Sequence, residues 1–390
     1  MNIHWHNIQA VIMRELRIFR QRPIYLMGSV VAITFCCVFF LTFFKNGITT
    51  DLPVGVIDND NSSVSREFVR QVDATQLSKV VRYSDYTQAR KDMQSGKITC
   101  FCVIPENMSA DILANRRPVF TFYYNALYFI SGSMSFQSIT RMINLTNGAV
   151  QREYLRAKGV PESQVMGMLQ PIDVDMHAIG NQYINYGYYL VNILLPGILQ
   201  MLIIIIIIYS LGSELKYGTS RHLLMTSGNS ILTALIGKLI VFTVLFTAIG
   251  LILILLMYDW MHFPIAGSIW NMLFAIILLV LASESVGILI IGLLPVPRLA
   301  LSIGALYSIL GLTLSGFTLP VESMPAIIQG LASAYPIRHY YLFYCQEVIF
   351  GTGFIGWWQE VIHLLLFLFL PLFIMQRLKG AYIKQNFPTN

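Results

Sequence analysis

The sequence predicts a membrane α-helical protein with six transmembrane helices and an extracytoplasmic α/β domain between the first and second. Three observations predict it. Only 12% of the 390 residues are charged, and the mean hydropathy is +0.62. Six apolar runs, at 24–44, 184–211, 231–258, 269–294, 299–319 and 357–376, approach the ~20 residues needed to cross a hydrocarbon core. The segment 45–183 between the first two runs instead alternates strand-like and helix-like polar patterns.

Charge sets the orientation. Six crossings put both ends of the chain, the 212–230 loop and the 295–298 turn on one side. That side carries Arg14, Arg17, Arg20, Arg22, Lys216, Arg221, Lys238, Arg298, Arg377, Lys379 and Lys384 against Glu15 and Glu214. Segment 45–183 is nearly neutral, with 14 basic and 13 acidic residues. By the positive-inside rule this segment is outside, and 1–23 and 377–390 are cytoplasmic. The net charge of +6 hugs membrane ends, which argues against a nucleic-acid partner.

Each element follows from local pattern. Residues 1–23 read as an amphipathic interface helix, with Ile8, Val11, Ile12, Leu16 and Phe19 on one side and Arg14, Arg17 and Arg20 on the other. Pro23 starts the first run, which lacks a small-x-small cleavage site after Phe44 and reads as a retained signal-anchor. In 45–183 the order is β-α-β-α-β-α-β, with strands at 53–58, 78–83, 98–104 and 119–124, favouring one open sheet with helices packed on it. A longer helix follows over 131–158, partly polar all round. Asp58 and Asp60 begin a turn cluster that reads as an Asx turn rather than a metal site. Cys100 and Cys102 alternate to one face, as buried thiols or with one in a disulfide to Cys345. The five cysteines show no metal-ligand spacing.

In the membrane part, Glu284 sits mid-span between Ser283 and Ser285. A carboxyl at that depth is turned inward, either as a polar lock between helices or as a proton relay; His363 poses the same question. Gly304, Ser308, Gly311 and Ser315 form a small-residue stripe on the fifth run, which lets helices approach closely. Tyr183, Tyr186, Tyr188, Tyr189, Trp260, Trp270, Trp357 and Trp358 gather at the outer edges as interfacial anchors. No phosphate-cradling Gly-x-x-x-x-Gly-Lys-Ser/Thr motif occurs, and Ser95-Gly96-Lys97 lacks the rest of that loop.

Two stretches carry a resemblance. Ser315-Gly316-Phe317, Pro320, Met324-Pro325 and Pro336 lie between the last two runs. Ser213-Glu214, Lys216, Gly218-Thr219, Leu223-Leu224 and Gly237-Lys238 lie around the cytoplasmic loop between the second and third runs. Together they resemble ABC-2 type permeases, the membrane subunits of one class of ATP-binding-cassette exporters. The turn Val54–Ser63 with Ile104-Pro105 is similar to the outer domain of one branch of these permeases. The resemblance implies the ABC-2 exporter fold and a dimer, with itself or a close relative. It implies cytoplasmic ABC ATPase subunits that bind ATP and Mg, this chain holding no cofactor or metal and catalysing nothing itself. Loop 212–230 would dock on the ATPase through Glu214, Lys216, Gly218, Thr219, Leu223 and Leu224, with Arg221 and Met225 beside them. Residues 320–345 would form an outer lid. The Gly304, Ser308 and Gly311 stripe faces the second protomer or the pathway, or packs within its own chain. A periplasmic membrane-fusion adaptor and an outer-membrane channel complete the expected partners in a bacterial inner membrane. The cargo expected is amphipathic or hydrophobic, a drug-like compound or lipid, as in multidrug efflux. A proton-coupled carrier using Glu284 and a membrane-anchored sensor are the alternatives.

Overall fold

A computed structural model describes residues 5–44, 47, 50–114, 116, 118–126, 129–170, 180–181 and 185–384. The chain divides into two compact units, Met1–Lys45 with Ala178–Asn390, and Asn46–His177.

The first helix, α1, is Trp5–Gln21. Arg22 is extended and Pro23 occupies the first turn of α2, Pro23–Leu26, a position where its missing N–H costs nothing. A π-helical turn, Met27–Val31, leads into α3, Ala32–Phe43. Together Pro23–Phe43 make 21 apolar residues, about 31 Å of helix.

The second unit holds β1 Leu52–Asp58, α4 Ser63–Asp73, β2 Ser78–Tyr83, α5 Tyr86–Gln94, β3 Cys100–Ile104, α6 Met108–Leu113 and β4 Thr121–Tyr124. Helix α7, Phe129–Ala157, and helix α8, Glu162–Leu169, follow. The sheet order is β2-β1-β3-β4, parallel through β2-β1-β3 and antiparallel at β4. Alternation along β3 places Cys100 and Cys102 on one face, with Val54, Val56, Phe68 and Ile139, and Phe101 on the other with Ile57 and Ala89. Asp58 is consumed locally. Its Oδ1 accepts from the N–H groups of Asp60 and Asn61, at 3.1 and 3.0 Å, and its Oδ2 from Ser65 Oγ at 2.9 Å. That is the Asx turn expected there. All five cysteines are free thiols, so the disulfide alternative for Cys345 is set aside.

In the first unit the chain continues as α9 Tyr186–Lys216, α10 Ser220–Thr226, α11 Ile231–Leu255, α12 Ile269–Leu293, α13 Pro297–Thr313, α14 Ala326–Ala332, α15 Pro336–Tyr344, α16 Phe354–Phe367 and α17 Leu370–Lys384. Among the described residues, five helices are long and apolar enough to cross a membrane. Helices α9 and α12 are the most enclosed. The α2–α3, α11 and α16–α17 spans turn apolar side chains outward, as lipid-facing helices do.

The fifth expected crossing is different. Helix α13 has 17 residues, about 26 Å against the ~30 Å of a hydrocarbon core. It starts at Pro297 and ends at Thr313, not over 299–319. Hydropathy counted Leu314, Phe317 and Leu319 into the run, but Gly316 takes φ +96° and Ser315 Oγ folds back onto the Leu312 carbonyl at 2.8 Å. The last span is also longer than 357–376 and is interrupted near Leu368, just before Pro371. A proline cannot donate the bond that would continue the ladder.

Candidate functional site

The end of the bundle that carries α1 and α17 is held by buried charges. Helix α1 lays Ile8, Val11 and Glu15 inward. A Cβ on Gly237 would stand 2.8 Å from Val11 Cβ, so only a glycine lets α1 seat this closely on α11. Close seating brings Glu15, 0% exposed, against Lys238, 1% exposed. Lys238 Nζ donates to Glu15 Oε2 at 2.5 Å and to Glu214 Oε1 at 3.0 Å. Ser210 Oγ donates to the second Glu15 oxygen at 3.1 Å.

Glu214, 2% exposed, is saturated. Arg14 donates Nη1 to its Oε1 and Nη2 to its Oε2, both at 2.8 Å, and Thr219 Oγ1 donates to Oε2 at 2.5 Å. With the Lys238 bond, these make four, the acceptor capacity of one carboxylate. Burial works against the Arg14 charge, but the Glu214 hydrogen bond and the charges of Glu214 and Glu15 outweigh it, so its pKa lies above the usual arginine value. Two cations and two carboxylates sum to zero. Pairing of this kind is what makes buried charge tolerable, since each unpaired ion costs several kcal/mol.

Around this cluster the 217–230 turn is tied to α17. Ser220 Oγ donates to the Tyr382 carbonyl at 2.9 Å, Tyr382 Oη to the Leu211 carbonyl at 3.0 Å, and Arg221 Nε to the Ile383 carbonyl at 3.1 Å. Arg22 stacks its guanidinium 4.3 Å from the Tyr217 ring centre. Gly218 turns the chain with φ +67°.

The structure thus corrects three expectations at this end. The 212–230 loop begins as the last turns of α9, because Lys216 is still helical. Glu214, Leu223 and Leu224 face inward, Leu223 being 0% exposed, so they support the turn and do not reach a partner's groove. Exposure falls instead on Lys216, Tyr217, Gly218, Arg221, His222 and Met225, with Thr219 half-buried. In α1 the buried stripe is rotated relative to expectation: Glu15 and most of Arg14 are inside and Leu16 is outside. The compensating pair was readable only in outline. Glu15 is the lone acid in a basic leader, and Lys238 is a cation two turns into an apolar run that needs a carboxylate partner.

At the other end, the motif residues organise a surface turn. Ser315 is buried and Phe317 stacks on Tyr189 with ring centres 4.5 Å apart. Tyr189 Oη donates to the Phe317 carbonyl at 2.8 Å. Pro320 and Pro325 precede short helical turns, Val321–Ser323 and α14, with Met324 between them, and Pro336 opens α15. Behind this, Glu347 is buried and accepts from the Ser268 N–H at 2.6 Å, Asn271 Nδ2 at 2.8 Å and Trp357 Nε1 at 2.8 Å. Trp357 and the buried Tyr188, whose Oη donates to the Pro264 carbonyl, are therefore internal posts. Tyr189, Trp260, Trp270 and Trp358 are exposed as anchors would be; Tyr183 and the Tyr186 side chain lie outside the described residues.

The small stripe packs within its own chain. A Cβ on Gly304 would meet Ile208 and one on Gly311 would meet Tyr335, while Ser308 is buried with its Oγ on the Gly304 carbonyl at 2.8 Å. Of the readings left open for it, the structure favours the intrachain one. Glu284 on α12 accepts from Thr243 Oγ1 on α11 at 2.6 Å, a polar tie between two spans. His339, Glu360 and His363 bring donor atoms within 4.8 Å of one another, and this is the cluster, among the described residues, with a donor set able to hold a metal ion. His339 Nδ1 lies 2.7 Å from Glu360 Oε2, and its Nε2 lies 2.9 Å from the Ser333 carbonyl.

Comparison with known proteins adds the family. The chain matches the model of the ABC-2 family transporter proteins over residues 24–375. It is 25% identical over 319 residues to the inner membrane transport permease YhhJ of Escherichia coli K12, covering 80% of this chain and 81% of that one. The Shigella flexneri protein of the same name matches equally. It is 22% identical over 340 residues to the probable multidrug ABC transporter permease YbhR of Escherichia coli K12, covering 86% and 88%.

Proposed function

Because the chain belongs to the ABC-2 family of transporter proteins, we propose that it is the membrane permease of an ATP-driven exporter in a bacterial inner membrane. Family membership carries with it partnership with an ABC ATPase subunit. The observation that supports the rest is the neutral cluster of Arg14, Glu15, Glu214 and Lys238, which binds the 217–230 turn to α1, α9 and α11. A turn fixed to these three elements and to α17 cannot yield locally when pushed. Force applied to its exposed rim, Lys216, Tyr217, Arg221, His222 and Met225, is passed to the helices as a rigid shift.

In this reading the rim docks the ATPase on the cytoplasmic side, and ATP and Mg are held by that subunit. Two permease protomers form the conduit, homodimeric or heterodimeric. The lid at 320–345 closes its outer mouth, and the α/β unit is periplasmic, where it serves an adaptor and outer-membrane channel. The cargo is amphipathic or hydrophobic, a drug-like compound or lipid, in keeping with the multidrug permease named among its relatives.

Co-purification tests the reading. The full chain should retain its ABC ATPase subunit, and Met225→Ser with Arg221→Ala should weaken that association while the permease still inserts and folds. Retention unchanged by both substitutions removes the rim from the account.

A further inference from the structure

Glu284 is not fully used by its tie to Thr243. Its Oε2 takes the Thr243 bond, but its Oε1 is buried without a hydrogen-bond partner among the described residues. The carboxyl lines a cleft of about 270 Å³ between α11, α12 and the α16–α17 break, walled by Leu239, Ile240, Leu281, Leu372 and Met375. Among the described residues no lysine, arginine or histidine lines it. Ser285, the other polar side chain there besides Thr243, spends its hydroxyl on the Leu281 carbonyl at 2.9 Å. At the outer lip Phe369, Leu372 and Phe373 are exposed, so the cleft opens sideways through apolar side chains where a bilayer would lie.

We propose that this cleft is a lateral site for single-tailed amphiphilic amines, with the ammonium N–H on the Glu284 carboxyl and the tail along Leu239, Ile240 and Leu372. The chemistry follows from what the site lacks. An unpaired carboxyl oxygen in an apolar wall needs a hydrogen-bond donor. A donor that also carries positive charge gains most there, because low-dielectric walls strengthen ion pairing. Size selects the tail number. At ~30 Å³ per water the cleft holds about nine, just under the ~300 Å³ lower end of small-molecule sites. That takes an amine head and part of one chain, not the headgroup of a two-chain phospholipid. The proposed export reading gives such a site a purpose, as an entry from the membrane for cargo, and this role rests on that reading. Occupancy does not.

Binding of radiolabelled dodecylamine to the purified full chain in phosphatidylcholine nanodiscs, without ATPase and corrected for empty discs, tests it. The amine is charged at pH 7. Saturable binding of one molecule per chain is expected, weakened at least tenfold in Glu284→Gln. Dodecanol and dodecyltrimethylammonium, which lack the charge and the N–H respectively, should compete at least tenfold less well than unlabelled dodecylamine. Leu372→Trp fills the cleft from its lipid-facing lip and should also cost at least tenfold; it serves where Glu284→Gln fails to assemble. Binding indifferent to both substitutions, equal competition by dodecanol, or displacement on exchanging the discs to phosphatidylethanolamine overturns the proposal. Because no ATPase is present, failure here leaves the permease reading standing, and loss of ATPase association would leave this site standing.

Discussion

Lys238→Met is the sharpest perturbation of the buried cluster. Lys238 is the sole cation on Glu15 among the described residues and one of two on Glu214. Methionine keeps the length and apolar stem but removes the charge. Glu214 would still hold Arg14 and Thr219. Glu15 would keep only the Ser210 hydroxyl as a bonded partner, a buried carboxylate with no ion pair and only the longer-range attraction of Arg14. Breaking a buried pair on one side costs about 3–5 kcal/mol. At ~2–4 °C per kcal/mol for a body of this size, melting in detergent should fall by about 6–20 °C. The control separates charge from packing. Glu15→Gln combined with Lys238→Met removes one charge of each sign and leaves the Arg14–Glu214 pair intact. The double variant should therefore melt above Lys238→Met alone, with a coupling of about 1–3 kcal/mol. Additive losses, or a single-variant cost under about 1 kcal/mol, would refute the idea that charge closure holds α1 to the turn.

Gly237→Val would drive a side chain into Val11, so α1 should detach and become sensitive to limited proteolysis while the spans still insert; an α1 that stays protected contradicts the close seating. Leu223→Ala, at a buried position, should cost about 2–5 kcal/mol of stability, whereas Met225→Ser, 75% exposed, should stay within about 0.5 kcal/mol and affect only ATPase retention; a reversed pattern would exchange their roles. In the α/β unit, burial pushes the Cys102 and Cys100 thiols above their ordinary values. Both should resist N-ethylmaleimide near neutral pH and react once denatured, as mass spectrometry of labelled peptides would report. The Asp92 carboxyl is held below its usual range by hydrogen bonds from Lys97 and Tyr83. Its contribution is therefore present above the unfolded value of ~3.9 and is lost as pH falls through the lower folded value. Asp92→Asn should flatten the acid limb of a denaturation curve, and an unchanged limb would remove that assignment.

Much of the fold was written in periodicity. Runs of apolar residues give spans wherever helices stay regular, and the β-α alternation of 52–124 survives because its central strands are short apolar runs set between turn and helix patterns. What hydropathy could not see was backbone geometry. Gly316 and Ser315 end α13 inside an apolar run, and Pro371 follows a break that composition passes over. The site was legible as a location but not as a set of roles. Glu214 and Leu223 were found by motif, yet whether such residues face a partner or their own core depends on helix rotation set by tertiary contacts. The pairing of Glu15 with Lys238 spans 223 residues, beyond the reach of local pattern. One rotation error in α1 followed from the same cause, since counting Leu16 as apolar and Arg14 as polar ignores that a paired arginine can be buried.

The proposed function requires the 217–230 turn to be the cytoplasmic surface on which an ATPase subunit sits. Met225→Cys, labelled by a membrane-impermeant maleimide and read peptide by peptide, tests this directly. Labelling should occur in inverted vesicles and not in right-side-out ones, and should be suppressed when the ATPase subunit is present. Labelling from the external side, or labelling untouched by a bound ATPase, would contradict it.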